Sequence, residues 1–259
     1  MTGQRMRWQW PGWLVLWCST LLAPAMAAEI SYMVIEQVEP FQVVSRDNPL
    51  AGGLVTDIVQ QVFLGSLHQL RPVVAPAPRL ESMRSSGQLP NWLSYGARPW
   101  LQPGWQLSQH PIFSWRHVLA VPKSSRFRYR TIEDLFGKSL ILMHGYDYPG
   151  LDGYLRSKSR LGRISDQRAL TQQGAISMLR AGRGVGYVDT ELRLVYQLRQ
   201  LGLSPGNFRF YDLSAVIPVI DIHLMYDHSL PEEVKVLIDR RLGELQQSGQ
   251  LAAMVQHYR

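Results

Sequence analysis

Three glycines alternate at positions 182, 184 and 186 of the stretch SMLRAGRGVGYVDTE, and a carboxylate, Asp189, follows the last of them closely. Glycines so spaced let backbone amides close on a phosphate, provided a strand leads into the turn and a helix leaves it. Here the order is reversed. Ala175, Ile176, Met178 and Leu179 group on one helical face before the glycines, and VGYVD after them reads as a short apolar strand. A helix C-terminus carries partial negative charge and repels phosphate. Gly182 is therefore expected to stop a helix with positive φ, and nucleotide chemistry is set aside.

Other chemistries fall away in the same manner. Neither G-x-S-x-G nor H-E-x-x-H occurs, and the 7 histidines are scattered with no pair at ligand spacing. The expectation is a protein with no cofactor and no catalytic constellation. Residues 1–27 read as a cleavable secretory leader: Arg5 and Arg7 without an acid, the apolar run WLVLWCSTLLA, then Ala25-Met26-Ala27 as the cleavage site. The apolar run is too short for a comfortable bilayer span. The single cysteine, Cys18, lies inside this leader, so the exported chain would carry no thiol, disulfide or thiolate metal site. A periplasmic location follows. Loss of the two arginines lowers a net charge of +7 that is already modest. RFRYR, from Arg126 to Arg130, interleaves basic and aromatic residues as a nucleic-acid surface does. It reads instead as a solvated connector, and no nucleic-acid partner is expected.

The elements that must position any site alternate between strand and helix. ISYMVIE, RPVVAPAPR, NWLSYGAR, SWRHVLAVPK, SLILMHG, VGYVD, FRFYDLS and AVIPVIDIHLMYD read as strands. GGLVTDIVQQVFLGSLHQL reads as a helix with apolar residues from Leu54 to Leu67 at helical spacing; RLESMRSSGQ, TIEDLFGK, DYPGLDGYLRSK, QQGAISMLRAG and TELRLVYQLRQLG read as further helices, and a helix pair split near Ser248-Gly249 closes the chain. Arg98 to Pro111, rich in Pro, Gly, Trp and Gln, reads as a long loop. The class is α/β with mainly parallel sheets. Pro-marked stretches around 118–123 and 213–220 are the candidate boundaries. Two crossings imply an inserted domain, 119–218, within an outer one formed by 28–118 and 219–259.

Five segments in order carry a resemblance. EPFQVV with AGGLVTDIVQQVF, SQHPIFSWRHVLAV, TIEDLFGKSLILMHGYDY, ALTQQGAISMLRAGRGVGYVDT and LPEEVKVLIDRRLGELQQSGQLAAMVQHY are together similar to the bacterial extracellular solute-binding proteins of family 3, the type II periplasmic binding proteins. The resemblance spans roughly residues 29–259. It implies two α/β domains joined by two hinge segments that close on a small polar ligand, an amino acid or related compound. It also implies a monomer whose closed form is read by an ABC permease or a sensor kinase.

The same resemblance assigns candidate residues. Members that bind amino acids use a first-domain arginine as a bidentate partner for the α-carboxylate; Arg98 and Arg79 are the two positions here. Asp189 matches an aspartate that takes a ligand ammonium, and it reads equally as the N-cap of TELRLVY. Tyr146 and Asp147 stand where the family often carries Ser or Thr, which makes a cationic or sugar-like ligand more plausible. Glu39 and Phe41 fall on the first cleft-facing loop, where a ring can stack on ligand. Tyr95, Trp100 and Trp105 are placed on the same wall. The fold also hosts dehydratases resembling cyclohexadienyl dehydratase, for which Glu39, Asp147 or Asp189 would be the acid. The expectation here is binding without catalysis, with a stand-alone sensory domain as the alternative.

Overall fold

The computed structural model describes residues 27–259 apart from Arg46, Lys158, Arg160 and Leu161; residues 1–26 of the predicted leader lie outside the described residues. The strands, in chain order, are β1 (Glu29–Ile35), β2 (Gln69–Ala75), β3 (Trp92–Gly96), β4 (Trp105–Trp115), β5 (His117–Pro122), β6 (Ser139–Met143), β7 (Ser165–Ala169), β8 (Gly186–Thr190), β9 (Phe208–Asp212) and β10 (Ile220–Asp227). The α-helices are α1 (Leu54–Phe63), α2 (Ala77–Ser85), α3 (Asp152–Leu155), α4 (Gln172–Arg180), α5 (Glu191–Gln200), α6 (Glu232–Gln247) and α7 (Gln250–His257). Among the described residues no helix is long and apolar enough to cross a membrane.

The strands form two sheets of the same plan, β2-β1-β3-β10-β4 and β7-β6-β8-β5-β9. In each, the first three strands are parallel and the fourth runs antiparallel to both neighbours. The chain passes between sheets twice. Arg116 alone separates β4 from β5, and residues 213–219 lead from β9 back to β10. The crossings run side by side: Ile220 pairs with Trp115, and Leu213 N donates to the His117 carbonyl at 3.1 Å.

The first sheet has a core on each face, the smaller one formed by Met33, Leu80, Leu89, Trp92 and Met225. Apolar spacing on α1 buries Leu54, Val55, Ile58, Val59, Val62 and Phe63 beside Val234, Ile238 and Leu242 of α6 and Leu251 of α7. The second sheet is covered on both faces. Ile176 and Leu179 of α4 pack with Leu194 and Leu198 of α5 on one, and Leu135, Tyr148, Leu151 and Ile217 cover the other. Leu192, at the start of α5, breaks this separation by packing into the first core.

The glycine stretch behaves as a helix stop. Gly182 takes φ +69, its N–H reaches the Leu179 carbonyl, and the Arg183 N–H reaches that of Met178. This is the paired closure of a Schellman turn. Gly184 and Gly186 serve close packing instead: a Cβ at Gly186 would run into the Leu119 side chain.

Four sequence expectations are corrected. Residues 98–111 are not a loop throughout, because β4 starts at Trp105. Pro111 is tolerated there because β4 is an edge strand with register shifts beside that position. SWRHVLAVPK is not one strand, since it spans the β4–β5 crossing. α1 stops at Phe63, where Gly65 (φ +71) turns the chain and leaves Leu67 exposed. TIEDLFGK forms a 3-10 turn, with the expected capping box between Thr131 and Asp134. β7 gave no sequence signal because it is an edge strand with every side chain but Ala169 exposed.

Candidate functional site

In open α/β sheets ligands bind beyond the carboxyl ends of the strands. Here β1 and β3 deliver the 36–43 loop and Tyr95 from one side, and β6 and β8 deliver the 144–147 loop and Asp189 from the other. Phe41 is fixed first. Gln42, fully buried, donates through Nε2 to the Tyr32 hydroxyl and the Met33 carbonyl and accepts the Ile35 N–H on Oε1, so the loop is tied to β1. The Phe41 ring then stacks on Phe113 at 5.3 Å and 2° and lies 5.5 Å from Trp115 and 6.4 Å from Tyr95. Burial pushes the Tyr95 hydroxyl well above its ordinary pKa.

On the facing sheet Asp189 is 3% exposed. Its Oδ1 accepts the Thr190 N–H at 2.7 Å and Arg193 Nη1–H at 3.2 Å, and its Oδ2 accepts the Tyr187 hydroxyl. Thr190, not Asp189, is the N-cap residue of α5. Arg193 is also 3% exposed, with its guanidinium carbon 5.2 Å from the centroid of Phe41 and 5.4 Å from that of Tyr146. A cation between two aromatic faces is attracted by both ring quadrupoles. Burial alone would lower the Arg193 pKa, but the Asp189 carboxylate and the nearby phenols raise it, so the side chain remains a cation. The Tyr146 loop is held by Arg168, whose Nη1 donates to the Met143 and Tyr146 carbonyls at 3.1 Å each.

The structure brings Phe41, Tyr95, Tyr146 and Asp189 around one guanidinium. Glu39, half-buried, faces Tyr196 of α5; burial and the Glu39 charge raise that phenol's pKa. Asp147 is exposed. Arg79 is exposed on α2, and Arg98 is exposed at the start of a 3-10 turn. Arg98 lines a surface cavity of about 490 Å³ with Gln109, His223 and Lys235. Trp100 contacts Trp115 at 5.0 Å, whereas Trp105 packs on Trp92 at 5.4 Å. Sequence reasoning missed Arg193, Tyr187 and Trp115. The signal for Arg193 was its spacing four residues after Asp189, across a strand-to-helix junction.

Polar atoms at this junction are left over. Arg193 Nε, Trp115 Nε1, Thr190 Oγ1 and His117 Nδ1 are buried without a hydrogen-bond partner. His117 pairs with Thr190 across β5 and β8, so these two side chains share one sheet face and Asp189 points to the other. Burial, chiefly, keeps His117 neutral by lowering its pKa.

No family model matches the sequence, and no curated protein is similar to it. Solved structures are. The GluR0 ligand-binding core in complex with L-glutamate is 16% identical over 91% of this chain and 99% of its own, with a TM-score of 0.66. The probable amino-acid ABC transporter extracellular-binding protein ytmK of Bacillus subtilis is 12% identical over 90% and 98%, with a TM-score of 0.72. The periplasmic VFT2 domain of Bordetella pertussis BvgS is 15% identical over 90% and 93%, at 0.65. The chain has the two-domain type II periplasmic binding fold that these structures share.

Proposed function

We propose that this chain is an exported solute-binding protein that holds a small polar ligand, an amino acid or related compound, between its two sheets, without catalysis. The observation that carries the reading is the convergence of Phe41, Tyr95, Tyr146, Asp189 and Arg193 from the carboxyl ends of both sheets. Apolar walls with a few convergent charged groups are what small-ligand sites require. Two structurally similar proteins named for binding, the GluR0 core and ytmK, support it. The outer and inserted domains, 28–118 with 219–259 and 119–218, would close about the two crossings, and an ABC permease or sensor kinase would read the closed form. Glu39 and Asp147 are proposed at the cleft rim, and Arg79 and Arg98 as outer charges that closure would bring inward.

A second reading, a sensory domain without a captured solute, draws on one observation: Asp189 already has an internal cation in Arg193. Thermal unfolding of the chain from Ala28 onward, against amino acids, polyamines, small carboxylates and sugars, separates the two. A ligand at about 100 times its Kd adds roughly 2.7 kcal/mol of stability. A clear upward shift in Tm supports capture. A folded protein that shifts with none of them supports the second reading.

A further inference from the structure

Arg193 is not spent by its partner. A guanidinium has five N–H donors in a planar fork, and Asp189 takes one of the two at Nη1. Nε is buried and has no acceptor. The Phe41 and Tyr146 rings cover the group. The other leftover group on this side, Trp115 Nε1, sits on the tryptophan that contacts Phe41 and is likewise a donor with no acceptor. Asp189, by contrast, already accepts three hydrogen bonds, from Tyr187, from the Thr190 backbone and from Arg193. The two unpartnered groups beside Phe41, Arg193 Nε and Trp115 Nε1, are thus both donors. A second cation brought to Asp189 would meet the charge of Arg193 in a poorly solvated space, where like charges repel strongly.

We infer that the ligand is recognised by a carboxylate bound to the open edge of Arg193, and that Asp189 is a positioning residue for that arginine, not the acceptor of a ligand ammonium. The inference rests on the solute-binding reading above. The fork of an arginine matches a carboxylate through two parallel N–H donors. Asp189 and Tyr187 fix its orientation, and the two rings shield the pair from water. Trp115 offers a further donor from the first sheet, so an anion held between them bridges both halves of the molecule.

The test is calorimetric titration with matched sets of probes: L-leucine, 4-methylpentanoate and 3-methylbutylamine, together with the corresponding sets for phenylalanine, glutamine and arginine. The expected result is binding of at least one amino acid and of its carboxylate-only counterpart, with no binding of the amine-only one. Arg193→Lys, which keeps the charge beside Asp189 but not the fork, should weaken that carboxylate by about 30-fold or more. Asp189→Asn, which loosens the hold on Arg193 but also removes the charge that competes for it, should weaken that carboxylate by clearly less than Arg193→Lys does. Circular dichroism of both variants confirms that they fold. Binding of an amine-only probe without its carboxylate counterpart overturns the inference and leaves solute binding standing. So does a loss for Asp189→Asn as large as that for Arg193→Lys. No binding by any probe to the folded wild-type chain removes solute binding itself, and the inference with it.

Discussion

The guanidinium of Arg193, on a helix of the second sheet, lies 5.2 Å from the ring of Phe41, on a loop of the first. Leu192 beside it is buried in the first core. The N-terminus of α5 thus joins the two halves by one charged and one apolar contact. It does so where Glu191 N also donates to the Arg116 carbonyl of the first crossing, at 3.2 Å.

Removing one member of the buried pair should expose the cost of the other. Arg193→Ala leaves the Asp189 carboxylate buried without its cation and is expected to lower stability by about 3–5 kcal/mol. The double variant Arg193→Met with Asp189→Asn removes both charges and should recover most of that loss. Urea unfolding of the variants and the wild type checks it; a double variant no more stable than Arg193→Ala would show that the charge pair is not the source.

Tyr187→Phe removes the hydroxyl that donates to Asp189 Oδ2 while leaving the ring in its apolar setting. A buried carboxylate oxygen loses a donor, at a cost of about 1–3 kcal/mol. The equilibrium denaturant midpoint should fall accordingly, with the slope unchanged.

Gly182 and Gly186 should fail for different reasons when changed to alanine. At Gly182 the space is open and only the positive φ is penalised, about 1–2 kcal/mol. Asparagine should be tolerated better there, since it visits that region more readily. At Gly186 the new methyl meets Leu119 side-chain atoms and, at 3.1 Å, the Ala120 carbonyl. That overpacking costs about 1–3 kcal/mol, and asparagine should be worse than alanine. Thermal unfolding of the four variants gives the two opposite orders.

Acid sensitivity should begin above the carboxylate range. Burial lowers the pKa of His117 below its ordinary 6.5, Arg193 adds to this, and Asp189 opposes it. The unfolded chain then binds a proton that the folded chain refuses, so stability rises with pH across that window. It is fully present above about pH 7 and falls as pH drops through 6.5 toward the folded value. Glu81 and Asp227, whose pKa values are also lowered, lose their contribution only below their ordinary 4.5 and 3.8. Urea midpoints at about pH 7.5 and 5.5 should differ more for wild type than for His117→Gln.

Elements with a buried face could be read from the sequence because period and burial coincide. α1, β6 and α4 follow from apolar spacing alone, and the Gly182 stop follows from the need for positive φ. β7 could not be read, because Ser165 to Arg168 are exposed and the strand exists only through its ladder with β6. β4 was hidden by Pro111 and its glutamines, which suit an edge strand as well as a loop. Of the candidate site, Phe41, Tyr95, Tyr146 and Asp189 were reached through the family resemblance, which pointed to loops and strand ends that the fold does bring together around Arg193. Arg193 was not, since a helical arginine among leucines looks like one more surface charge until the fold turns it inward.

The position of β10 bears on how the chain assembles. β5 to β9 are contiguous in sequence, so the second sheet can form as soon as they have been made. The first sheet cannot: β3 and β4 are joined only through β10, which bonds Leu224 to Ser108 across 116 residues. Loop closure over such a distance is slow. A chain emerging N-terminus first would therefore finish its inserted sheet while its outer sheet still has an open slot between two strands. Any cellular factor that guards unpaired strand edges would meet it in that half-built form, with the slot between β3 and β4 as the exposed surface.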